Sequence, residues 1–142
     1  MIYLLYGQPA SGKTTLGKLL AEHLEIQFVI DGDEFREMFA NKNYAEHGRI
    51  ENIKNANSVA TYLNKKGENV IMCLVNPYAD LREELKNNNQ GQVIEVFLQS
   101  GRDLRKEYHV KDFEIGDPDY TLRTDSSIEE SWKNLKIILD IN

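Results

Sequence analysis

Apolar residues follow two rhythms along this chain, and the rhythms alternate. Met1 to Tyr6 is an apolar and aromatic run closed by Gly7, which predicts a short strand buried on both faces. Leu16, Leu19, Leu20 and Leu24 then recur at helical spacing. Ile26 to Ile30 predicts a second strand that ends at Asp31-Gly32-Asp33, and Glu34 to Phe39 a short helix before the loop Asn41-Lys42-Asn43. Ile50, Ile53, Ala56, Val59 and Leu63 mark one face of a long helix that Gly67 stops. Val70 to Val75 is the third strand and runs into Asn76-Pro77, while Leu81 and Leu85 lie on a helix that dissolves into the turn-rich stretch 87–91. Val93 to Leu98 is the fourth strand, and Ser100 to Tyr108 is expected to be helical. A polar connector with Gly116 and Pro118 leads to a short strand at Tyr120 to Arg123, and a last helix carries Ile128, Trp132, Leu135 and Leu139.

Strands that alternate with helices predict a parallel sheet covered on both faces. The turn after the first strand specifies which kind. Gly7-Gln8-Pro9-Ala10-Ser11-Gly12-Lys13-Thr14 fits G-x-x-x-x-G-K-[ST] at every fixed position, between a strand and a helix as that motif requires. Such a loop turns successive backbone N–H groups toward a phosphate, and the helix N-terminus adds its positive dipole. Lys13 is expected to reach the β- and γ-phosphates of ATP and the Thr14 hydroxyl to ligate Mg²⁺, with Gly7, Ala10, Ser11, Gly12 and Thr15 completing the ATP site. The expected class is therefore α/β, a P-loop NTPase-like parallel five-stranded sheet with helices on both faces, forming a single domain over residues 1–142.

Composition narrows the partners. A net charge of −6 argues against a nucleic-acid binder, which usually carries a basic excess. No apolar run approaches the length of a membrane span and no signal peptide precedes the first strand, so the expectation is a cytoplasmic protein with no membrane partner. The single Cys73 sits in an apolar strand and reads as a small buried hydrophobe. His23, His47 and His109 are scattered without metal-ligand spacing, so no zinc site is expected. Assembly as a homodimer is left open.

Ligands of such sheets sit beyond the carboxyl ends of the strands, so the residues that follow each strand carry the chemistry. Phosphoryl transfer needs a positioned acceptor, Mg²⁺, and a carboxylate to take the acceptor's proton. Asp31 and Asp33, at the tip of the second strand, suit those two tasks. Arg36, Arg49 and Asn52 suit an anionic acceptor, because guanidinium groups grip phosphate or sulfate oxygens as a fork.

These segments resemble the adenylyl-sulfate kinase family. Asp31-Gly32-Asp33-Glu34-Phe35-Arg36 is similar to its L-D-G-D-N-V-R signature, and Tyr44-Ala45-Glu46-His47-Gly48-Arg49-Ile50-Glu51-Asn52-Ile53 to F-S-x-x-D-R-x-E-N-I. Val75-Asn76-Pro77-Tyr78 falls at I-S-P-[YF], and Ile94-Glu95-Val96-Phe97 resembles I-E-V-[FY]. The resemblance implies a kinase of sulfate assimilation that moves the γ-phosphate of ATP to the 3′-hydroxyl of adenylyl sulfate. It implies Asp31 as the base, Asp33 as its partner near the metal, and Arg36, Arg49 and Asn52 as holders of the phosphosulfate. Tyr44 takes the place of one aromatic that stacks on the acceptor base, and Phe113, in Lys111-Asp112-Phe113, that of the second; Lys111, Val75 and Asn76 complete the implied acceptor site. The chain departs from the family in a shorter lid before Phe113, in Tyr108 where an arginine is expected, and in Asn76 where a serine stands. Relatives that phosphorylate cytidine diphosphoramidate keep a second nucleotide acceptor open. Another small-molecule kinase and a non-catalytic nucleotide-binding module stand behind these.

Overall fold

The computed structural model describes residues 1–101 and 109–142, so the helix expected up to Tyr108, and Tyr108 itself, lie outside the described residues. The strands are β1 (Ile2–Tyr6), β2 (Phe28–Asp31), β3 (Val70–Leu74), β4 (Val93–Gln99) and β5 (Tyr120–Arg123). The helices are α1 (Lys13–Leu24), α2 (Gly32–Met38), α3 (Glu46–Lys65), α4 (Ala79–Asn88) and α5 (Ile128–Leu139). All neighbouring strands run parallel, in the order β2-β3-β1-β4-β5. The second strand starts two residues later than its apolar run, because Ile26 folds back to end α1 through its N–H on the Ala21 carbonyl.

β1 lies at the centre, which explains its uninterrupted apolar character. Ile2, Leu4 and Tyr6 face one layer of the core with Phe35, Ala56, Ala60 and Leu85 from α2, α3 and α4. Leu5 faces the other, with Leu16 and Leu20 of α1 and Leu135 of α5. Burial of this kind stabilises by roughly 25 cal/mol per Å² of apolar surface and fixes the sheet's two covers. Among the described residues no helix is long and apolar enough to cross a membrane.

The helix that follows the phosphate loop comes unusually close to the sheet. Gly17 of α1 packs onto Cys73 of β3, and a Cβ at position 17 would overlap the Cys73 sulfur. Burial pushes the Cys73 thiol up to about 12, with the Asp31 charge acting in the same direction, so it packs as a neutral group. Gly17→Ala gains about 1 kcal/mol of helix propensity but overpacks the interface at a cost of about 1–3 kcal/mol. We expect a net loss, read as a melting temperature lower by a few degrees. Adding Cys73→Ala should recover most of it, and a Gly17→Ala protein more stable than wild type would refute the contact.

Candidate active site

The phosphate loop leaves β1 and closes as α1 begins. Ala10 and Gly12 adopt left-handed backbone, with φ of 63° and 94°, which turns consecutive N–H groups inward as an anion cradle. Lys13 folds over the loop, its Nζ donating to the Gln8 carbonyl at 2.8 Å and to Ser11 Oγ at 3.2 Å. The Thr124 hydroxyl, just past β5, donates to the Ser11 carbonyl at 2.8 Å and ties the loop to the far side of the sheet.

Asp31 ends β2 and begins α2. Its Oδ1 accepts from the N–H groups of Asp33 and Glu34, an N-cap that stabilises such a turn by about 1 kcal/mol. Its Oδ2 accepts from the Thr14 hydroxyl at 2.8 Å. Both carboxylate oxygens are thus engaged, one by the helix and one by the phosphate loop. Asp33 is exposed, and its carboxylate takes no partner among the described residues.

The opposite wall is built by a polar loop. Arg36 donates to the Asn43 carbonyl at 2.8 Å and to Asn41 Oδ1 at 3.3 Å, and lies over the Tyr44 ring at 4.3 Å. Arg49 donates to the Tyr44 carbonyl at 2.8 Å and to the Tyr78 hydroxyl at 3.0 Å. Gly48 is required here, since a Cβ would run into the backbone of Asn43. Asn52 donates to the Gly32 carbonyl at 3.2 Å, which leaves its Oδ1 as a fixed acceptor.

Loop, carboxylates and arginines enclose one hollow of about 1060 Å³. Ala10, Gly12, Lys13, Thr14 and Thr15 line its phosphate-loop side, and Asp31 and Asp33 its floor. Arg36, Tyr44, Arg49, Asn52, Val75 and Asn76 also belong to its lining. Gly7 and Ser11 lie in the loop but outside this lining; Ser11 faces a second hollow of about 240 Å³.

Phe113 does not stand opposite Tyr44. Its ring stacks on Tyr6 at 6.3 Å, packs against Phe97 at 5.8 Å, and lines the smaller hollow. The cause is the connector's short, pinned path. Gln8 clamps Val110 through two hydrogen bonds of 2.9 Å, and the Tyr6 hydroxyl donates to the Ile115 carbonyl at 2.6 Å. Lys111 is exposed and lines neither hollow. The implied aromatic sandwich is corrected accordingly: in this arrangement only Tyr44 faces the large hollow.

Gln8 and Arg82 escaped the sequence reading. Arg82 is 2% exposed, donates to the carbonyls of Asn76, Glu114 and Ile115, lies over the Tyr6 ring, and pairs with Glu95, which also meets Lys86 at 2.7 Å. Burial pushes the Tyr6 phenol up to about 12, so it stays a donor to Ile115. Glu95, a lone charge inside an apolar strand, was the available signal, since a buried charge demands a partner.

The site's donor set is hard oxygen: a threonine hydroxyl beside one carboxylate, with a second carboxylate nearby. That suits Mg²⁺, which takes one or two protein carboxylates and draws its other ligands from phosphates and water. A parallel sheet of this order, with a phosphate loop after its first strand and acidic residues after its second, defines the P-loop kinase fold. The adenylylsulphate kinase profile matches residues 1–114, and the chain belongs to that family. The cytidine diphosphoramidate kinase of Campylobacter jejuni is 34% identical over 94 residues, 61% of this chain and 55% of that protein. The adenylyl-sulfate kinase of Myxococcus xanthus is 31% identical over 110 residues, 72% of this chain and 60% of that protein. The chain thus spans 55% to 60% of the length of these two relatives. The APS kinase of Mycobacterium tuberculosis, solved in complex with AMPPNP and APS, shares the fold with a TM-score of 0.81 at 23% identity, over 98% of this chain and 96% of that one.

Proposed function

We propose that this chain is an ATP-dependent kinase that transfers the γ-phosphate to a hydroxyl of a small anionic nucleotide, with adenylyl sulfate as the first acceptor. The observation that carries this reading is that one hollow is lined by the phosphate loop, a pair of carboxylates, two arginines and an exposed tyrosine. Arg36 and Arg49 are preorganised by loop carbonyls, so little side-chain ordering remains to be done on binding an anion. Tyr44 offers a face on which any base can stack. Cytidine diphosphoramidate is the second acceptor, favoured by the Campylobacter jejuni relative. We place the reaction in the cytoplasm.

The acceptor oxygen attacks the γ-phosphorus, the bond from that phosphorus to the β–γ bridging oxygen breaks, and ADP leaves. Lys13 neutralises charge on the β- and γ-oxygens, and the loop amides hold them in place. Thr14 and Asp31 would hold Mg²⁺, which when bound would supply charge neutralisation at the transferred phosphates. The Thr14–Asp31 hydrogen bond supports Asp31 on the metal side, leaving Asp33 to accept the acceptor's proton, the reverse of the order implied by the family signature.

ADP release is the test, with adenylyl sulfate, cytidine diphosphoramidate and shikimate as acceptors. Tyr44→Ala should raise the acceptor KM about tenfold, one base stack being worth roughly 1–3 kcal/mol, and leave the ATP KM unchanged. Phe113→Ala should act chiefly on stability, since its ring packs on Tyr6 and Phe97. Turnover of shikimate alone, indifferent to Tyr44, rules out the nucleotide acceptor; no acceptor-stimulated release with any of the three leaves a binding module.

A further inference from the structure

The carboxylate of Glu114 lines neither hollow, yet it ties down a segment that does. α4 begins directly after that segment, and its N-cap residue, Tyr78, offers it no side-chain cap. The first N–H groups of a helix must find partners elsewhere. Glu114 Oε1 accepts from the Ala79 N–H at 2.8 Å, from 35 positions along the chain, and brings negative charge to the positive end of α4. The Glu114 N–H donates to the Pro77 carbonyl at 3.0 Å. Arg82 completes the join, donating to the Asn76 carbonyl on one side and to the Glu114 and Ile115 carbonyls on the other.

Glu114 is exposed, and water weakens an exposed charge. Its backbone, however, is already fixed. The Phe113 ring stacks on Tyr6, and the Tyr6 hydroxyl donates to the Ile115 carbonyl. Only the side chain's own rotations remain to be ordered when the bond to Ala79 forms.

The residue just before α4 gives this join its consequence. The Tyr78 hydroxyl accepts from Arg49 Nε at 3.0 Å, and Arg49 Nη1 donates to the Tyr44 carbonyl. Nη2 of Arg49 takes no partner among the described residues. Two bonds to one planar group fix its plane, and so the direction in which its open edge donates. A fork that grips phosphate or sulfate oxygens depends on that direction.

We propose that Glu114 is a positioning residue for the acceptor: by holding the start of α4 it sets Tyr78, and through the Tyr78 hydroxyl the guanidinium of Arg49. This rests on the anionic-acceptor reading above and adds a residue outside the hollow on which the aim of Arg49 depends. Its effect should fall on the acceptor and spare ATP.

The experiment compares Glu114→Ala, Glu114→Gln, Tyr78→Phe, and Glu114→Ala combined with Tyr78→Phe. ADP release gives KM for ATP and for adenylyl sulfate or cytidine diphosphoramidate. Heteronuclear NMR of the unliganded protein follows the Arg49 Nε–H signal, assigned by its disappearance in Arg49→Lys. Glu114→Ala should raise the acceptor KM about three- to tenfold, the scale of one hydrogen bond, with kcat and the ATP KM unchanged. Glu114→Gln keeps an oxygen for the Ala79 N–H and should recover most of that loss. Tyr78→Phe should resemble Glu114→Ala, and the double variant should add little, because both changes break one link. In Glu114→Ala the Arg49 Nε–H should exchange with solvent several-fold faster. An Arg49 signal indifferent to Glu114→Ala overturns the proposal. So does an equal rise in both KM values, which marks general loosening, and so do losses that simply add in the double variant. A wild type that releases no ADP with either nucleotide overturns the nucleotide-acceptor reading alone, and the Arg49 signal still decides the role of Glu114.

Discussion

Lys13→Ala is expected to lower kcat by about 10²–10³-fold, the scale of removing one strong preorganised donor, while the fold stands. Lys13 donates to two loop atoms, the Gln8 carbonyl and Ser11 Oγ, and belongs to neither core layer, so truncation leaves both layers alone. Among the described residues no other cation is placed to take over. Arg36 and Arg49 are held to Asn43 and Tyr44 on the acceptor wall, and Lys18 lies exposed farther along α1. The loss should fall mainly on kcat, because charge on the transferred group and leaving group is greatest in the transition state. Unchanged circular dichroism together with the drop in ADP release is the expected pair. Near wild-type turnover would remove the kinase assignment.

What could be read in advance divides along physical lines. The phosphate loop was legible because its chemistry depends on fixed spacing within eight consecutive residues, and Gly7 to Thr14 has it. The parallel sheet was legible because β1 and β3 are apolar on both faces. Strand order was not, since nothing in a strand's own composition names its neighbour. Asp31 could be found at a strand tip, but its bond to Thr14 joins positions 17 residues apart, and no local pattern distinguishes the carboxylate so engaged from the one two residues on. Gln8 stands at a variable position of the motif, and its use is to hold Val110 from 102 residues away. Phe113 was read by likeness to a family motif; the ring goes instead where Tyr6, Phe97 and the pinned connector leave room. Tertiary contact decides such positions, and only the folded chain carries it.

The two carboxylates provide the second large effect, and the asparagine variants separate them. Asp33→Asn should lower kcat by about 10²–10⁴-fold, the usual worth of a general base, with the Mg²⁺ dependence little changed. Its carboxylate lines the hollow without a partner among the described residues, so substitution breaks no structural bond. The loss of an acidic group from the first turn of α2 costs only about 0.3–1 kcal/mol. Asp31→Asn is the more informative comparison. Asparagine caps a helix about as well as aspartate, so the bonds from the Asp33 and Glu34 N–H groups survive and α2 keeps its start. What disappears is the negative charge beside Thr14, 2.8 Å from its hydroxyl. That variant should need a higher Mg²⁺ concentration for half-maximal rate and recover part of its kcat at saturation. Asp33→Asn should recover none, since added metal cannot replace a proton acceptor. Titrating Mg²⁺ against ADP release in both variants decides between the assignments. Rescue of Asp33→Asn by Mg²⁺, with Asp31→Asn unresponsive, would restore the order that the family signature implies and leave the Thr14–Asp31 bond as a helix cap that happens to touch the loop.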